Sequence, residues 1–382
     1  MRNSIFILSL LFLLSSCFKM PNDPYVSPLT VPADFDWKSI EAKKVIITQV
    51  SSVLNENGDT VASFLPPGEY GLTVGKSSIL TVVKENAAVL TKSQGDIKIK
   101  EKIHFPAKNK YATVMFEDLF PDKGDMDMND IVLGLNIVYY LDKASNVIDI
   151  EINIEPRALG SLFQNIGLAA QLSAPNILDI VQNISHSGDP NLSPFFSVTT
   201  NKNGYSPELG NVNSQVIPLT GNLRTYFDNV KDLFINVRNI DPVTQTHDFS
   251  VLIEIKPTAI FPYSNLTFIE SSQIGKINLD IFAVVEDRGK EIHFKGQRPT
   301  DKFFYQYFIS TLPKTDFSTI DNWVWAIICD QSIRYNLEYV KIYNAYPNFK
   351  VWAEGGGAIG SKWYIPSVID SLYQKNDYNY IN

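Results

Sequence analysis

Val147-Ile148-Asp149-Ile150-Glu151-Ile152-Asn153-Ile154 decides the fold class. Isoleucine alternates with acids and an amide, the period-two pattern of a strand with one buried face. Just before it lies the long apolar run Ile131–Leu141, and Asp142-Lys143-Ala144-Ser145-Asn146 separates the two with turn formers. The pair reads as a hairpin with a buried face. Working outward, residues 111–116, 233–237, Phe249–Ile255 and Ile277–Val285 carry the same strand character. Many short strands with Asn, Gly and Pro between them predict a mainly β protein, built as antiparallel β-sandwich domains with few helices. The best helical pattern is 345–354, where Tyr346, Phe349 and Trp352 share a face before Gly355-Gly356-Gly357.

The N-terminal part reads as a separate small β module over residues 34–100. Residues 44–50 form a strand, Asn55-Glu56-Asn57-Gly58-Asp59 a turn, and Thr60–Leu65 the return strand. Pro66-Pro67-Gly68-Glu69-Tyr70 then leads into the strand at 71–74, a pattern similar to small β-sandwich modules of the carboxypeptidase-regulatory type. Residues 101–382 form the second, larger β-rich domain. No internal repeat is evident.

The first residues are of another kind. Arg2 precedes an apolar stretch over residues 5–14, and Leu14-Ser15-Ser16 leads directly to Cys17. That is the layout of a secretory signal, with an apolar core too short to span a bilayer comfortably. A Cys at the cleavage point resembles the bacterial lipoprotein box. The resemblance implies that residues 1–17 are processed and that Cys17 carries lipid, with several acyl chains for stable anchoring. Residues 18–33, with Pro21, Pro24, Pro28 and Pro32, read as an extended spacer. Phe18, Lys19 and Met20 after the Cys carry no acidic retention mark, which favours the outer membrane, facing the periplasm or the cell surface. The chain has two cysteines, so lipidation of Cys17 leaves Cys329 without a disulfide partner, as a small core residue. A net charge of −8 with no basic stripe argues against nucleic acid as a partner.

The loop between the strands at 111–116 and 131–141 carries the main chemical signal. Glu117, Asp118, Asp122, Asp125, Asp127 and Asp130 stand there against Lys123 alone. Such crowding costs folding energy through like-charge repulsion. Asp125-x-Asp127-x-Asn129-Asp130 offers hard oxygens, which points to a structural calcium ion. Fully extended, Asp125 and Asn129 would lie roughly 13 Å apart, so the segment must curl around an ion, and Gly124 permits the turn. Asp125, Asp127 and Asn129 are the first candidate ligands, with Asp130 beside them and Glu117 or Asp118 closing the sphere. Asp130 and Asn136 occupy the sixth and twelfth positions, where an EF-hand needs Gly and Glu. No His lies in the loop, which argues against zinc. The competing reading is a solvated acidic turn with Asx caps.

The same residues carry a resemblance. Phe105-Pro106-Ala107-Lys108, followed by the run from Phe116-Glu117-Asp118-Leu119-Phe120-Pro121 through Lys123-Gly124-Asp125-Met126-Asp127-Met128-Asn129-Asp130, resembles the LruC-domain family of bacterial exported proteins. Gly160-Ser161-Leu162-Phe163, Arg288-Gly289-Lys290-Glu291-Ile292-His293 with Pro299-Thr300-Asp301, and Tyr346-Pro347-Asn348-Phe349-Lys350-Val351-Trp352 are similar to its later blocks. The resemblance covers roughly residues 101–373. Met126 and Met128 stand where aromatics are usual and Phe120 where Trp is usual; the acids are spared. It implies a secreted or lipid-anchored surface protein with no established reaction.

No catalytic constellation is assigned, and the chain is read as a non-enzyme. Glu291 and His293 share one strand face and would place an acid beside a base, but a turn followed by an ordinary strand is the reading preferred. No Gly-x-Ser-x-Gly elbow or P-loop is present. A binding role, for a glycan or a surface protein, fits a tethered β-sandwich. Trp323, Trp325, Trp352, Trp363 and Tyr364 are the aromatic candidates for stacking on sugar rings, with core packing as the competing reading. A structural part in a surface or fimbria-like assembly is the alternative, and a glycan-active hydrolase comes third.

Overall fold

The computed structural model describes residues 29–85, 101–174, 179–270, 273–311 and 315–381. The signal segment, Cys17 and most of the spacer lie outside them. Among the described residues no helix is long and apolar enough to cross a membrane.

The strands are β1 (Ile40–Ile47), β2 (Ser51–Leu54), β3 (Thr60–Leu65), β4 (Gly68–Gly75), β5 (Thr81–Lys84), β6 (Glu101–Phe105), β7 (Ala112–Phe116), β8 (Ile131–Leu141) and β9 (Val147–Ala158). They continue with β10 (Ile166–Ser173), β11 (Val181–His186), β12 (Thr200–Asn201), β13 (Gly204–Tyr205), β14 (Ser214–Thr220) and β15 (Phe249–Ile255). The last are β16 (Leu266–Phe268), β17 (Ile277–Val285), β18 (Glu291–Ile292) and β19 (Ala326–Cys329). The large sheet runs β12-β13-β11-β15-β9-β8-β6-β3-β2-β5, with β7 and β19 branching from β8. A second sheet runs β14-β10-β17-β16 with β18 on β17, and β1 pairs with β4 alone. Pairing is antiparallel apart from β16 on β17. One apolar core spans strands of all three sheets, which is the expected sandwich.

The hairpin forms as read. Ile150, Ile152 and Ile154 are buried while Asp149, Glu151 and Asn153 are partly exposed. Each buried isoleucine contributes about 1.5–3 kcal/mol before entropy is counted. The Asp142 carboxylate closes the turn, accepting from the Ala144 and Asn146 amides at 2.8 Å each. On β8 both faces are buried. One faces the sandwich core. The other, with Val132, meets Met115, Met128 and a C-terminal layer of loops with α2 (Ile342–Ala345) and α3 (Pro347–Glu354), while α1 (Gln306–Thr311) packs on the sandwich core through Phe308.

Four expectations change. The strand at 44–50 ends at Ile47, and the partner of β3 across the Asn55–Asp59 turn is β2. The 34–100 segment is no separate module in its described part, because β3 continues the large sheet onto β6 through Ala62 opposite Ile103. Residues 233–237 make an isolated bridge, Leu159 to Ile235, rather than a strand. The helix at 345–354 is two helices, because Pro347 has no N–H to extend the first and instead opens the second.

Side-chain contacts also tie the N-terminal strands to the rest. Tyr70 Oη meets Ser145 Oγ at 2.8 Å and donates to Pro66 O at 3.1 Å. Tyr70→Phe is expected to lower stability by about 1 kcal/mol in denaturant unfolding. Ahead of β1, Phe35 and Trp37 insert among Trp323, Phe349 and Trp352 of the C-terminal layer. Lys295 Nζ donates to the Ala33 and Phe35 carbonyls at 2.8 Å each.

Candidate metal centre

The loop between β7 and β8 is built to curl. Gly124, Met126 and Met128 all hold positive φ, at 68°, 66° and 57°. Every second residue is thus left-handed, which costs the two methionines conformational energy. The curl turns Asp125 and Asp127 to one side. There, ligand oxygens of Glu117, Asp125 and Asp127 lie within 4.8 Å of one another. Glu117 comes from the end of β7, whose backbone is fixed by the Glu117 N–H on the Trp325 carbonyl at 2.9 Å.

Neighbouring groups orient each acid. Glu117 Oε1 accepts from the Met128 amide at 2.7 Å, while Oε2 is buried with no hydrogen-bond partner among the described residues. Asp127 Oδ2 accepts from the Tyr339 amide and from Asn129 Nδ2, both at 2.8 Å. Asp130 Oδ2 accepts from the Asp118 amide at 2.7 Å. Phe120 anchors the loop among Phe317, Phe308 and Trp325, and Trp325 Nε1 donates to the Asp122 carbonyl at 2.6 Å.

Burial, then the Asp125 charge, raises the Glu117 and Asp127 carboxyls well above the usual range. Burial followed by Asp118 does the same to Asp130. Three cations moderate the field from nearby: Lys341 acts on Asp125, Lys290 on Asp118 and Arg238 on Glu338. Lys123, the loop's own cation, is turned away onto Asp321. The donor set is anionic oxygen throughout, which suits a hard divalent cation and gives zinc no nitrogen or sulfur ligand.

The sequence expectation is sorted by these contacts. Glu117, Asp125 and Asp127 come together. Asp118 and Asp130 form a backbone-to-carboxylate clasp outside that group of three. Asn129 turns its amide nitrogen, not its oxygen, toward Asp127. Glu338 was not foreseen. It sits in a loop some two hundred residues away, close enough that burial and the charges of Asp125 and Asp118, against Arg238, push its carboxyl to about 8. No local pattern around Asn336-Leu337-Glu338-Tyr339 signals that placement.

The aromatic candidates are corrected. Trp323, Trp325, Trp352 and Trp363 are at most 2% exposed and Tyr364 6%. Trp325 belongs to the sandwich core and the others to the C-terminal layer, so no ring face is open to a sugar. Glu291 and His293 do meet, with Oε2 2.9 Å from Nε2, but both are sealed from solvent. His293 Nδ1 is 2.5 Å from Asp280 Oδ2, and Phe282 stacks on the ring at 4.4 Å. Cys329 is buried, and burial pushes its thiol up.

Among curated proteins nothing matches this chain. A crystal structure of a "putative lipoprotein" from Bacteroides ovatus shares the fold, with a TM-score of 0.52 over 88% of this chain and 93% of that one, at 16% identity. A family model described as a domain of unknown function, DUF4842, matches residues 145–364. That match begins in the hairpin turn after β8, leaves the acidic loop outside, and takes in Glu338. Because it spans more than half of the sequence, the chain belongs to the DUF4842 family.

Proposed function

We propose that this chain is a calcium-stapled, lipid-tethered surface protein of the LruC type that binds a glycan or protein ligand without transforming it. The observation that carries the reading is the nest of Glu117, Asp125 and Asp127, with Glu117 Oε2 buried and unpartnered. A buried carboxylate oxygen without a donor is costly, and a bound calcium ion would offset that cost. Its place is structural: the nest lies under the C-terminal layer, and Tyr339 and Asn336 close over it.

The lipid tether rests on the Leu14-Ser15-Ser16-Cys17 box, and the fold likeness to a protein described as a lipoprotein agrees with it. The outer membrane is the location favoured by the residues after Cys17. A ligand would enter a cleft of about 510 Å³ that shares no residue with the nest. Asn55, Asn57, Asp59, Tyr111, Asp330 and Gln331 are among its lining residues. Amides, carboxylates and a phenol are the groups that hydrogen-bond and stack on polyhydroxylated ligands.

A glycan array probed with the chain, in calcium and in EDTA, tests the function. Binding lost on chelation is expected. Binding to no glycan supports the assembly role instead, and release of sugar fragments overturns the non-catalytic reading.

A further inference from the structure

Besides Glu117 Oε2, three buried oxygens around the nest lack a hydrogen-bond partner among the described residues: Asn336 Oδ1, Asn129 Oδ1 and Glu338 Oε2. The last two crowd one point. A Cβ built on Gly160 would stand 2.3 Å from Asn129 Oδ1 and 2.8 Å from Glu338 Oε2, so only glycine leaves this space open. With Glu338 ionised, these two oxygens are both acceptors with no donor between them. On the other side of the same carboxamide, Nδ2 donates to Asp127 Oδ2 at 2.8 Å and to the Asn336 carbonyl at 3.3 Å. The amide therefore spends its donor on a carboxylate that a cation would claim, and turns its acceptor toward another carboxylate.

We propose that a divalent cation in the nest turns the Asn129 carboxamide over, making Asn129 Oδ1 a fourth ligand and Nδ2 a donor to Glu338. The inference rests on reading the nest as a calcium site. After the half-turn, Oδ1 occupies the place of Nδ2, 2.8 Å from Asp127 Oδ2. Oxygens sharing an ion at about 2.3–2.6 Å sit at about that spacing from each other. One ion and one amide rotation then satisfy Glu117 Oε2, Asn129 Oδ1 and Glu338 Oε2 together. Glu338 acts as a positioning residue, holding the ligand amide in the orientation the ion needs. Cation uptake thereby latches the 336–339 segment onto the loop.

The test reverses donor and acceptor. Asn129→Asp keeps an oxygen for the ion but sets a carboxylate against Glu338. Adding Glu338→Gln returns a donor to that contact. Calcium titration calorimetry on the full chain in detergent is expected to show the double variant binding about tenfold tighter than Asn129→Asp alone. Charge alone predicts the opposite, because Glu338→Gln removes a negative group, so a double variant that binds more weakly overturns the proposal. A wild-type chain that takes up no calcium overturns the cation reading as well. Independently of any variant, crystals of the calcium-loaded wild type show an Asn129 oxygen on the ion if the proposal holds. Finding no Asn129 oxygen there sinks it and leaves the three-carboxylate site standing.

Discussion

Asp125→Asn combined with Asp127→Asn is expected to abolish any calcium-dependent rise in melting temperature. In the wild type, calcium at a hundredfold excess over its dissociation constant stabilises the fold by about 2.7 kcal/mol. An extracellular module works with affinities of roughly 10⁻⁴–10⁻³ M, so the titration belongs in the millimolar range. The double variant removes two of the three converging charges and leaves Glu117 alone in the nest. It carries a second signature. Burial raises both carboxyls in the wild type, and the Asp125, Glu117 and Glu338 charges raise Asp127 further, so the variant should melt above the wild type when both are in EDTA. Identical wild-type melting in calcium and in EDTA would refute the staple.

The other large effect lies in the second sheet. His293 is buried between Asp280 and Glu291, with Arg288 on the far side of Glu291. Burial alone would lower the imidazole pKa, but Asp280 and Glu291 outweigh it and hold the group at about 9. His293→Ala leaves two buried carboxylates without that cation and should cost about 3–5 kcal/mol. The folded value lies above the unfolded 6.5. The stabilisation is therefore fully present below pH 6.5 and is lost as pH rises through about 9. Over that window it amounts to about 3 kcal/mol. Urea unfolding of the wild type should show this decline, and in His293→Ala the fall over the same range should be smaller by about 3 kcal/mol. A wild type whose stability does not fall between those pH values contradicts a protonated His293.

The strands were legible wherever one face is buried and the other wet. Ile150, Ile152 and Ile154 declare their face by alternation, and Phe249–Ile255 does the same with burial at every second residue. What escaped was long-range pairing. Nothing in residues 44–65 says that β1 leaves for β4 while β2 takes β3, since both choices bury similar side chains. The acids of the loop were legible as a group because they are near in sequence. Their sorting was not: the left-handed turns at Met126 and Met128 decide which oxygens converge, and methionine gives no warning of positive φ. Glu338 arrives through packing of the C-terminal layer, and of the candidate sugar-stacking tryptophans Trp325 lies in the sandwich core and the others in that layer's own core.

The placement of Phe35 and Trp37 bears on mechanical load. Chain entering at residue 29 is fastened by the Lys295 and Asn322 side chains and by rings wedged under Trp323 and Trp352 before it reaches any strand. Tension on a leash at that end would first have to strip aromatic surface from the C-terminal layer. The β1–β4 pair, only two hydrogen-bonded strands, is thereby shielded from the pull. A chain pulled from that end would thus bear force on this aromatic packing and not on its thinnest sheet.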